Sequence, residues 1–309
     1  MKKILKRFYF PQTVAYPKLA KAWLKKRSYR QRVQEVCGEK TDIIQYTLPA
    51  RSPAVAGKTF CFLSDFHYMG TPEDLACRRE CIALLKTVKP DILLLGGDLC
   101  GDAVALPELP GLLAELGAIA PVTLAVPGNW ERRKNWLSTS YWKELYKKSN
   151  ILFLNDEVWE NESCFIYGTD DFHYGTPPNP PEYPDKLTIL LTHEPDMAVT
   201  FGHIGRLKGL DLILAGHTHG GQVRFPLLGP LRLPSMYGTR FDYGLYENKE
   251  SRTRLIITSG MGHLSFPARF NCKREIVVIR FAPNSANGMS EPYITEISEQ
   301  EKRCKTMEQ

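Results

Sequence analysis

The stretch Leu-Ile-Leu-Ala-Gly-His-Thr-His-Gly-Gly-Gln, residues 212–222, joins a short apolar run to two histidines and a glycine turn. Four consecutive apolar residues bounded by glycine predict a strand buried on both faces. His217 and His219 follow at its carboxyl end, two residues apart, and in extended backbone their side chains would point to the same side. This stretch therefore predicts a metal-chelating pair at the end of a strand.

The same arrangement, an apolar run followed by a residue that can bind a metal, occurs four more times. Each run predicts a buried strand that ends at a glycine or a turn, and we expect the five strand ends to meet at one edge. The runs are residues 60–64, 92–97, 122–126 and 187–192, and they lead to Asp65 and His67, to Asp98, to Asn129 and to His193 respectively.

These seven side chains together predict a site for divalent metals. A lone histidine at a strand end is usually a hydrogen-bonded loop residue, but seven candidate ligands in this order at strand ends are not explained in that way. A mixture of carboxylate, imidazole and amide oxygen suits manganese, iron or zinc better than calcium or magnesium, which prefer all-oxygen ligands. We expect manganese, with iron or zinc as alternatives.

With these blocks the sequence resembles the calcineurin-like metallophosphoesterases, whose motifs are Asp-x-His, Gly-Asp, Gly-Asn-His-Glu/Asp, His and Gly-His-x-His. The resemblance covers residues 58–281. It is strongest to a bacterial subgroup with Ala-Gly-His-Thr-His-Gly-Gly-Gln, here residues 215–222, and a later Gly-x-x-x-x-Pro-x-Arg-Phe block, here residues 262–270. The fold it implies is α/β (α+β), a four-layer α/β/β/α sandwich with the metals on loops at the strand ends.

The resemblance also implies ligands for two metals that share one carboxylate. By this analogy the first metal is held by Asp65, His67, Asp98 and His219, and the second by Asp98, Asn129, His193 and His217. Two metals roughly 3.5 to 4 Å apart can hold a bridging hydroxide and polarise a phosphoryl oxygen. The implied activity is hydrolysis at phosphorus without a protein nucleophile.

The sequence departs from the family motif at Trp130, where most members have a histidine that is thought to protonate the leaving group. An alkoxide has a conjugate acid about as weak as water, with a pKa near 15.7, whereas a phosphate has a second pKa of about 6. Loss of the acid therefore favours a phosphoanhydride substrate. The alternatives are a damaged site, or a proton from His173, His203 or His263.

Within this superfamily, the enzymes that cleave UDP-2,3-diacylglucosamine to UMP and 2,3-diacylglucosamine 1-phosphate in lipid A biosynthesis also lack that histidine in at least one branch. The resemblance thus implies this pyrophosphohydrolase activity. A general phosphodiesterase or phosphomonoesterase and an inactive scaffold stay as alternatives. Candidates for substrate contacts are Trp130, Arg132, Arg133 and Arg269, and apolar residues between Trp136 and Leu145 are candidates for an acyl groove.

Positive charge is concentrated in residues 1–34, which contain eleven Lys and Arg and no Asp or Glu. The rest of the chain has 29 basic and 34 acidic residues and so carries −5. Aromatic side chains, including Phe8, Tyr9 and Trp23, are interleaved with the basic ones. Such a segment suits an anionic membrane surface. Nucleic acid and a solvated tail are the alternatives, and we favour the membrane.

The organisation predicted from these patterns is a basic amphipathic arm at residues 1–50, a metallophosphoesterase domain at 51–284 and a polar tail at 285–309. Helical spacing of apolar residues predicts helices at 73–88 and 106–118. No run of about eighteen apolar residues is present, so we expect no membrane-spanning helix. No secretory signal pattern is visible. The eight cysteines suit a reducing compartment. We expect a peripheral enzyme on the cytoplasmic face of the cell membrane, while the sequence leaves the oligomeric state open.

Overall fold

The computed structural model describes residues 40–133, 137–176, 179–225, 229–230, 233–238, 240–264, 269–283, 293–295 and 305–306. It contains a mixed α/β fold. The strands are β1 Thr41–Pro49, β2 Thr59–Leu63, β3 Ile92–Leu95, β4 Val122–Ala125, β5 Leu152–Phe153, β6 Glu157–Glu160, β7 Cys164–Gly168, β8 Leu187–Leu191, β9 Leu212–Ala215, β10 Arg224–Phe225, β11 Gly229–Pro230, β12 Gly244–Glu247, β13 Arg254–Ile257, β14 Arg274–Ala282, β15 Tyr293–Thr295 and β16 Lys305–Thr306. The helices are α1 Pro72–Val88, α2 Leu109–Gly117, α3 Asn129–Arg132, α4 Thr139–Lys147 and α5 Asp196–His203.

Two large mixed sheets contain most of the strands. The first has the order β15-β1-β14-β2-β3-β4-β5 and the second β16-β12-β13-β9-β8-β7-β6, while β10 and β11 form a separate hairpin. Strands β2 to β5 are parallel, as are β7, β8, β9 and β13. Parallel neighbours end at the same edge, so each sheet gathers the loops that follow its central strands.

Alternation along the strands places apolar side chains on both faces of the first sheet. In β2, Phe60 and Phe62 pack between the two sheets, whereas Cys61 and Leu63 pack against helices α1, α2 and α4. On the outer face of the second sheet, Phe201 and its neighbours in α5 cover β8, β9 and β13. The layers are therefore helix, sheet, sheet, helix, which confirms the predicted sandwich.

Helix α1 begins and ends where its sequence predicts. The Thr71 hydroxyl accepts a hydrogen bond from the Asp74 N–H at 3.2 Å, and the Asp74 carboxylate accepts one from the Thr71 N–H at 3.1 Å. This capping box is followed by Pro72 at the first turn. The helix stops at Lys89, which has a left-handed backbone with φ of 53°. The second predicted helix is also present, but it is shorter and begins at Leu109, because residues 106–108 form a turn that follows the 3₁₀ turn at 103–105.

Two parts of the chain differ from the sequence-based expectation. Residues 41–49, assigned to the arm, form strand β1 in the first sheet, since Ile44, Tyr46 and Leu48 alternate into its core. Residues 293–295 and 305–306 of the tail pair with β1 and β12. The five strand ends before the candidate ligands, three in the first sheet and two in the second, meet at one edge of the sandwich, as predicted.

The two sheets are also joined at the edge opposite those strand ends. Arg51, which follows β1, donates to Asp211 at 2.7 Å and to Asp185 at 2.9 Å. These two carboxylates precede β9 and β8, so Arg51 links the sheets at the amino ends of the central strands of the second sheet.

In the described part of the chain, no helix is long and apolar enough to cross a membrane.

Candidate metal centre

The seven predicted residues come together where the carboxyl ends of the central strands meet. Asp98 follows β3 in the first sheet and His193 follows β8 in the second, and the Asp98 Oδ2 lies 3.2 Å from the His193 Nε2. Two groups of side chains converge here, each with ligand atoms within 4.8 Å of one another: Asp65, His67 and His219, and Asp98, His193 and His217. All six residues are buried.

The first group is built around two facing imidazole nitrogens. His67 Nε2 lies 3.0 Å from His219 Nε2, and the Asp65 Oδ1 lies 3.4 Å from His219 Nε2. Asp65 is fully buried, yet its Oδ1 has no hydrogen-bond partner in the described structure. An unpartnered buried carboxylate oxygen beside two imidazole nitrogens is the arrangement that a cation completes.

The second group contains the amide of Asn129 as well as the two histidines. The Asn129 Oδ1 lies 3.1 Å from His193 Nε2 and 3.0 Å from His217 Nδ1. Asp98 Oδ2 lies 3.2 Å from His193 Nε2 and 3.5 Å from His67 Nε2 in the other group. Asp98 therefore stands between the two groups, in the position of a shared ligand.

Backbone carbonyls determine which nitrogen of two of the histidines faces the site. The His193 Nδ1 lies 2.7 Å from the Gly96 carbonyl, and the His217 Nε2 lies 2.7 Å from the Pro234 carbonyl. A carbonyl oxygen only accepts, so each of these nitrogens carries the proton. The lone pairs of His193 Nε2 and His217 Nδ1 are left directed toward the centre, which is how metal-binding histidines are usually oriented.

Burial affects the charge of every group at this centre. It lowers the pKa of His67, His217 and His219 well below the ordinary value, and these imidazoles are neutral. It raises the pKa of the Asp98 carboxyl to about 7. For His193 burial is the largest single effect and lowers the pKa, but the carboxylates of Asp98, Asp65 and Glu194 together raise it well above the ordinary value. A proton and a metal ion compete for the His193 Nε2.

The backbone at the centre is left-handed, not extended as the two-residue spacing had suggested. Five of the seven residues have positive φ angles: Asp65 at 57°, His67 at 45°, Asp98 at 53°, His217 at 68° and His219 at 51°. Each such non-glycine residue costs about 1–2 kcal/mol. Strain of this kind persists only where the surrounding structure enforces it, and it is concentrated at functional sites.

Two glycines allow the loops to approach the carboxylates closely. A Cβ on Gly128 would collide with the Asp98 carboxylate, and a Cβ on Gly216 would collide with the Asp65 carboxylate and the Ser64 hydroxyl. Any larger residue would displace a carboxylate. These glycines therefore fix the distance between neighbouring loops.

Glu131 supports this centre, although the sequence analysis did not select it. Its carboxylate is fully buried and accepts hydrogen bonds from four backbone N–H groups, those of Asp98, Leu99, Cys100 and Gly128, at 2.8 to 3.2 Å. One side chain thus joins the loop after β3 to the loop after β4. The sequence contained a signal for this role, because Glu131 is the acidic residue that ends the Gly-Asn-x-Glu block.

Trp130 lies beside the first group. Its backbone N–H donates to the Asp98 Oδ1 at 2.7 Å, and its ring lies edge-on to the His67 ring with centroids 5.2 Å apart. The Arg133 guanidinium lies 5.2 Å from the centroid of the indole, a cation–π contact. An indole N–H donates hydrogen bonds but is not an acid at neutral pH. Trp130 therefore provides no proton here.

The other arginines predicted to contact substrate are engaged elsewhere. Arg132 forms a two-point ion pair with Asp170 at 2.8 and 2.9 Å and also donates to Thr139. Arg269 is buried and donates to the carbonyls of Ser259 and Gly262, behind the loop that carries His219. Both contribute to the loops around the centre, and the geometry does not favour the predicted phosphate contact for either.

The three histidines considered as alternative acids differ in position. The His173 ring lies 6.0 Å from the His217 ring. His263 is half-buried, and burial lowers its pKa. His203 lies exposed at the end of α5.

In the predicted acyl groove, Trp142 is fully buried and Leu145 packs on the same core cluster, so they do not line a groove. Trp136 lies outside the described residues.

Comparisons with known proteins identify the family of this chain. A family model described as calcineurin-like phosphoesterase matches residues 58–221. The phosphodiesterase YaeI of Escherichia coli (strain K12) is 30% identical over 245 residues, which cover 77% of this chain and 87% of that protein. The uncharacterized metallophosphoesterase YkuE of Bacillus subtilis (strain 168) is 29% identical over 240 residues, which cover 70% of this chain and 74% of that protein.

Among solved structures, a dimetal phosphatase from Danio rerio aligns with 67% of this chain and 88% of its own, at 11% identity and a TM-score of 0.44. The family match extends over more than half of the chain and includes all seven predicted residues. The metallophosphoesterase family implies divalent metals, and the two groups of buried side chains provide candidate sites for them. The chain belongs to the calcineurin-like phosphoesterase family.

Proposed function

We propose that this metallophosphoesterase is a two-metal hydrolase of a phosphoanhydride. The proposed substrate is UDP-2,3-diacylglucosamine, and the products are UMP and 2,3-diacylglucosamine 1-phosphate, as in lipid A biosynthesis. Membership of the phosphoesterase family supports a metal-dependent hydrolase. The choice of an anhydride rests on one observation, the indole of Trp130 beside His67 where most family members have an acid.

The proposed ligands are Asp65, His67 and His219 for one metal and Asn129, His193 and His217 for the other, with Asp98 shared. The contacts that support this assignment are the convergent imidazole nitrogens and the carbonyls that hold the two histidine tautomers. When bound, divalent ions at such a site activate water and polarise a phosphoryl oxygen. The mixed nitrogen and oxygen ligands favour manganese, with iron or zinc as alternatives.

The side chains around Trp130 suit a leaving group that needs charge stabilisation more than a proton. The positively charged guanidinium of Arg133 is half-exposed on the indole face. A phosphate leaving group can be stabilised by such a cation without proton transfer. An alkoxide leaving group requires the missing acid.

The test compares two substrates on the purified protein with manganese and detergent. We expect release of UMP from UDP-2,3-diacylglucosamine to exceed cleavage of bis(p-nitrophenyl) phosphate. Product analysis in oxygen-18 water then identifies the phosphorus that is attacked. Absence of UMP under these conditions would refute the proposed substrate, while loss of all hydrolysis would refute the enzyme itself.

A general phosphodiesterase is the second candidate function. Its support is the similarity to YaeI, which is named a phosphodiesterase, and the position of His173 near His217, from which another acid could act. Preference for the diester by the native protein, lost in His173→Gln, would favour it. A scaffold without catalysis is disfavoured because all seven side chains converge, and purified protein without bound metal would favour that alternative.

A further inference from the structure

Exposed apolar side chains are concentrated around the metal centre. Among the described residues, large hydrophobic side chains that are well exposed include Val104 at 71%, Met236 at 51% and Phe225 at 41%. Val104 lies in the 3₁₀ turn 103–105, Phe225 on β10 and Met236 in a turn, and each is close in sequence to a residue of the centre or to one that contacts it. Val104 follows Asp98 by six residues, and Phe225 follows His219 by six. Met236 lies two residues after Pro234, whose carbonyl accepts from His217.

Further exposed side chains belong to the same end. Met69 lies two residues after His67, and its sulfur packs against Gly101 in the loop that carries Val104. Tyr174, 44% exposed, follows His173, whose ring faces that of His217. Isolated surface hydrophobics need no explanation, but several grouped around one site are of the kind that marks an interaction surface. We call Met69, Val104, Tyr174, Phe225 and Met236 the apolar rim.

The described chain also begins at this end of the molecule. Strand β1 runs parallel to β14 and β14 antiparallel to β2, and Thr41 pairs with Arg274. By this register, Arg274 stands level with Asp65, just beyond the end of β2. The preceding segment therefore joins the fold beside the metal centre. Residues 1–34 of that segment carry eleven basic residues and no acidic ones.

We propose that the protein docks on an anionic lipid bilayer through the apolar rim, with the mouth of the metal centre facing the lipid. The eleven basic residues of positions 1–34 would supply the electrostatic attraction to anionic headgroups. The exposed apolar side chains then enter the interface between headgroups and acyl chains. This surface goes beyond the proposed function, because docking does not depend on which phosphate bond is cleaved.

The chain offers matched controls for this proposal. Leu152 and Val158 lie on the edge strands β5 and β6, and Ile204 lies at the carboxyl end of α5. Their exposed fractions, 48%, 40% and 48%, are close to those of the rim residues. The rim variant combines Val104→Ser, Phe225→Ser and Met236→Ser. The control variant combines Leu152→Ser, Val158→Ser and Ile204→Ser, so both lose three exposed apolar side chains.

Binding of the full chain is measured by sedimentation with phosphatidylcholine vesicles, with and without phosphatidylglycerol. We expect wild type to bind the anionic vesicles, the rim variant to bind at least about tenfold more weakly, and the control variant to match wild type. The three rim substitutions are also measured singly, and thermal unfolding midpoints are compared, so that a folding defect in the triple variant is recognised.

Three results would overturn the proposal. These are absence of binding to anionic vesicles, equal losses in the rim and control variants, and binding of duplex DNA that displaces the protein from vesicles. The measurement contains no nucleotide substrate, so its result is separate from the test of UMP release. Protein that binds vesicles through the rim but releases no UMP would retain this surface while the proposed substrate fails.

Discussion

Replacement of Glu131 by glutamine tests whether one buried carboxylate holds the loops of the metal centre together. The two side chains have nearly the same shape, so the change leaves no cavity. The carboxylate has two acceptor oxygens, and glutamine has only one. Oε1 accepts from the N–H groups of Leu99 and Cys100, and Oε2 from those of Asp98 and Gly128.

The magnitude follows from these four hydrogen bonds. In either orientation of the glutamine amide, two backbone N–H groups lose their acceptor and face an NH₂ group instead. A buried donor without a partner costs about 1–3 kcal/mol. We therefore expect Glu131→Gln to lower the free energy of unfolding by about 2–6 kcal/mol. Affinity for metal should fall as well, because the N–H groups of Asp98 and Gly128 position a ligand and the loop before Asn129.

The assay is denaturant unfolding, accompanied by titration of the metal-free protein with manganese. Glu144→Gln is the control, because Glu144 is exposed on helix α4 and the same change should alter stability by less than about 0.5 kcal/mol. If the free energy of unfolding of Glu131→Gln lies within that margin of the wild-type value, the four hydrogen bonds do not hold the loops as described. Unchanged metal affinity in a destabilised variant would refute the positioning role alone.

Four further predictions concern the centre and its surroundings. Asp98→Ala should reduce hydrolysis below detection and lower the metal content measured by mass spectrometry, because it removes the proposed shared ligand; retained metal would contradict the sharing. Trp130→His should raise diester cleavage by roughly 10²–10⁴-fold while leaving the anhydride rate unchanged; equal effects on both substrates would contradict the leaving-group argument. Manganese at 100 times its dissociation constant should stabilise the fold by about 2.7 kcal/mol, with chelator reversing the shift in thermal midpoint. Trp142→Ala should cost about 3–5 kcal/mol in denaturant unfolding without changing vesicle binding; weaker binding would instead support the acyl groove.

The strands and the candidate ligands were predictable because each is a local signal. An apolar run of strand length followed by a polar residue and a glycine specifies where a buried strand ends, as at Asp98 and His217. Helix α1 was predictable for the same reason, since its apolar spacing lies within the segment itself. The family motifs then supplied the pairing of ligands that no single run contains.

Features that depend on distant partners were not predictable in this way. Arg132 pairs with Asp170, which is 38 residues away in sequence, and Arg269 reaches the loop of His219 from 50 residues away. Neither local composition nor spacing reports such contacts, so both arginines looked available for phosphate. The left-handed backbone at Asp65 and its neighbours was also hidden, because it is enforced by packing between loops.

The two sheets are connected by different chemistry at their two ends. At one end Arg51 joins them through exposed carboxylates, and at the other Asp98 of the first sheet faces His193 of the second across the metal centre. A cation held between Asp98 and His193 would act as a removable cross-link. Metal loading should then slow amide hydrogen exchange in the loops after β3 and β8 while exchange near Arg51 stays the same. The end of the sandwich that carries the centre is therefore the end whose link between the sheets would depend on metal, whereas the link at Arg51 would not.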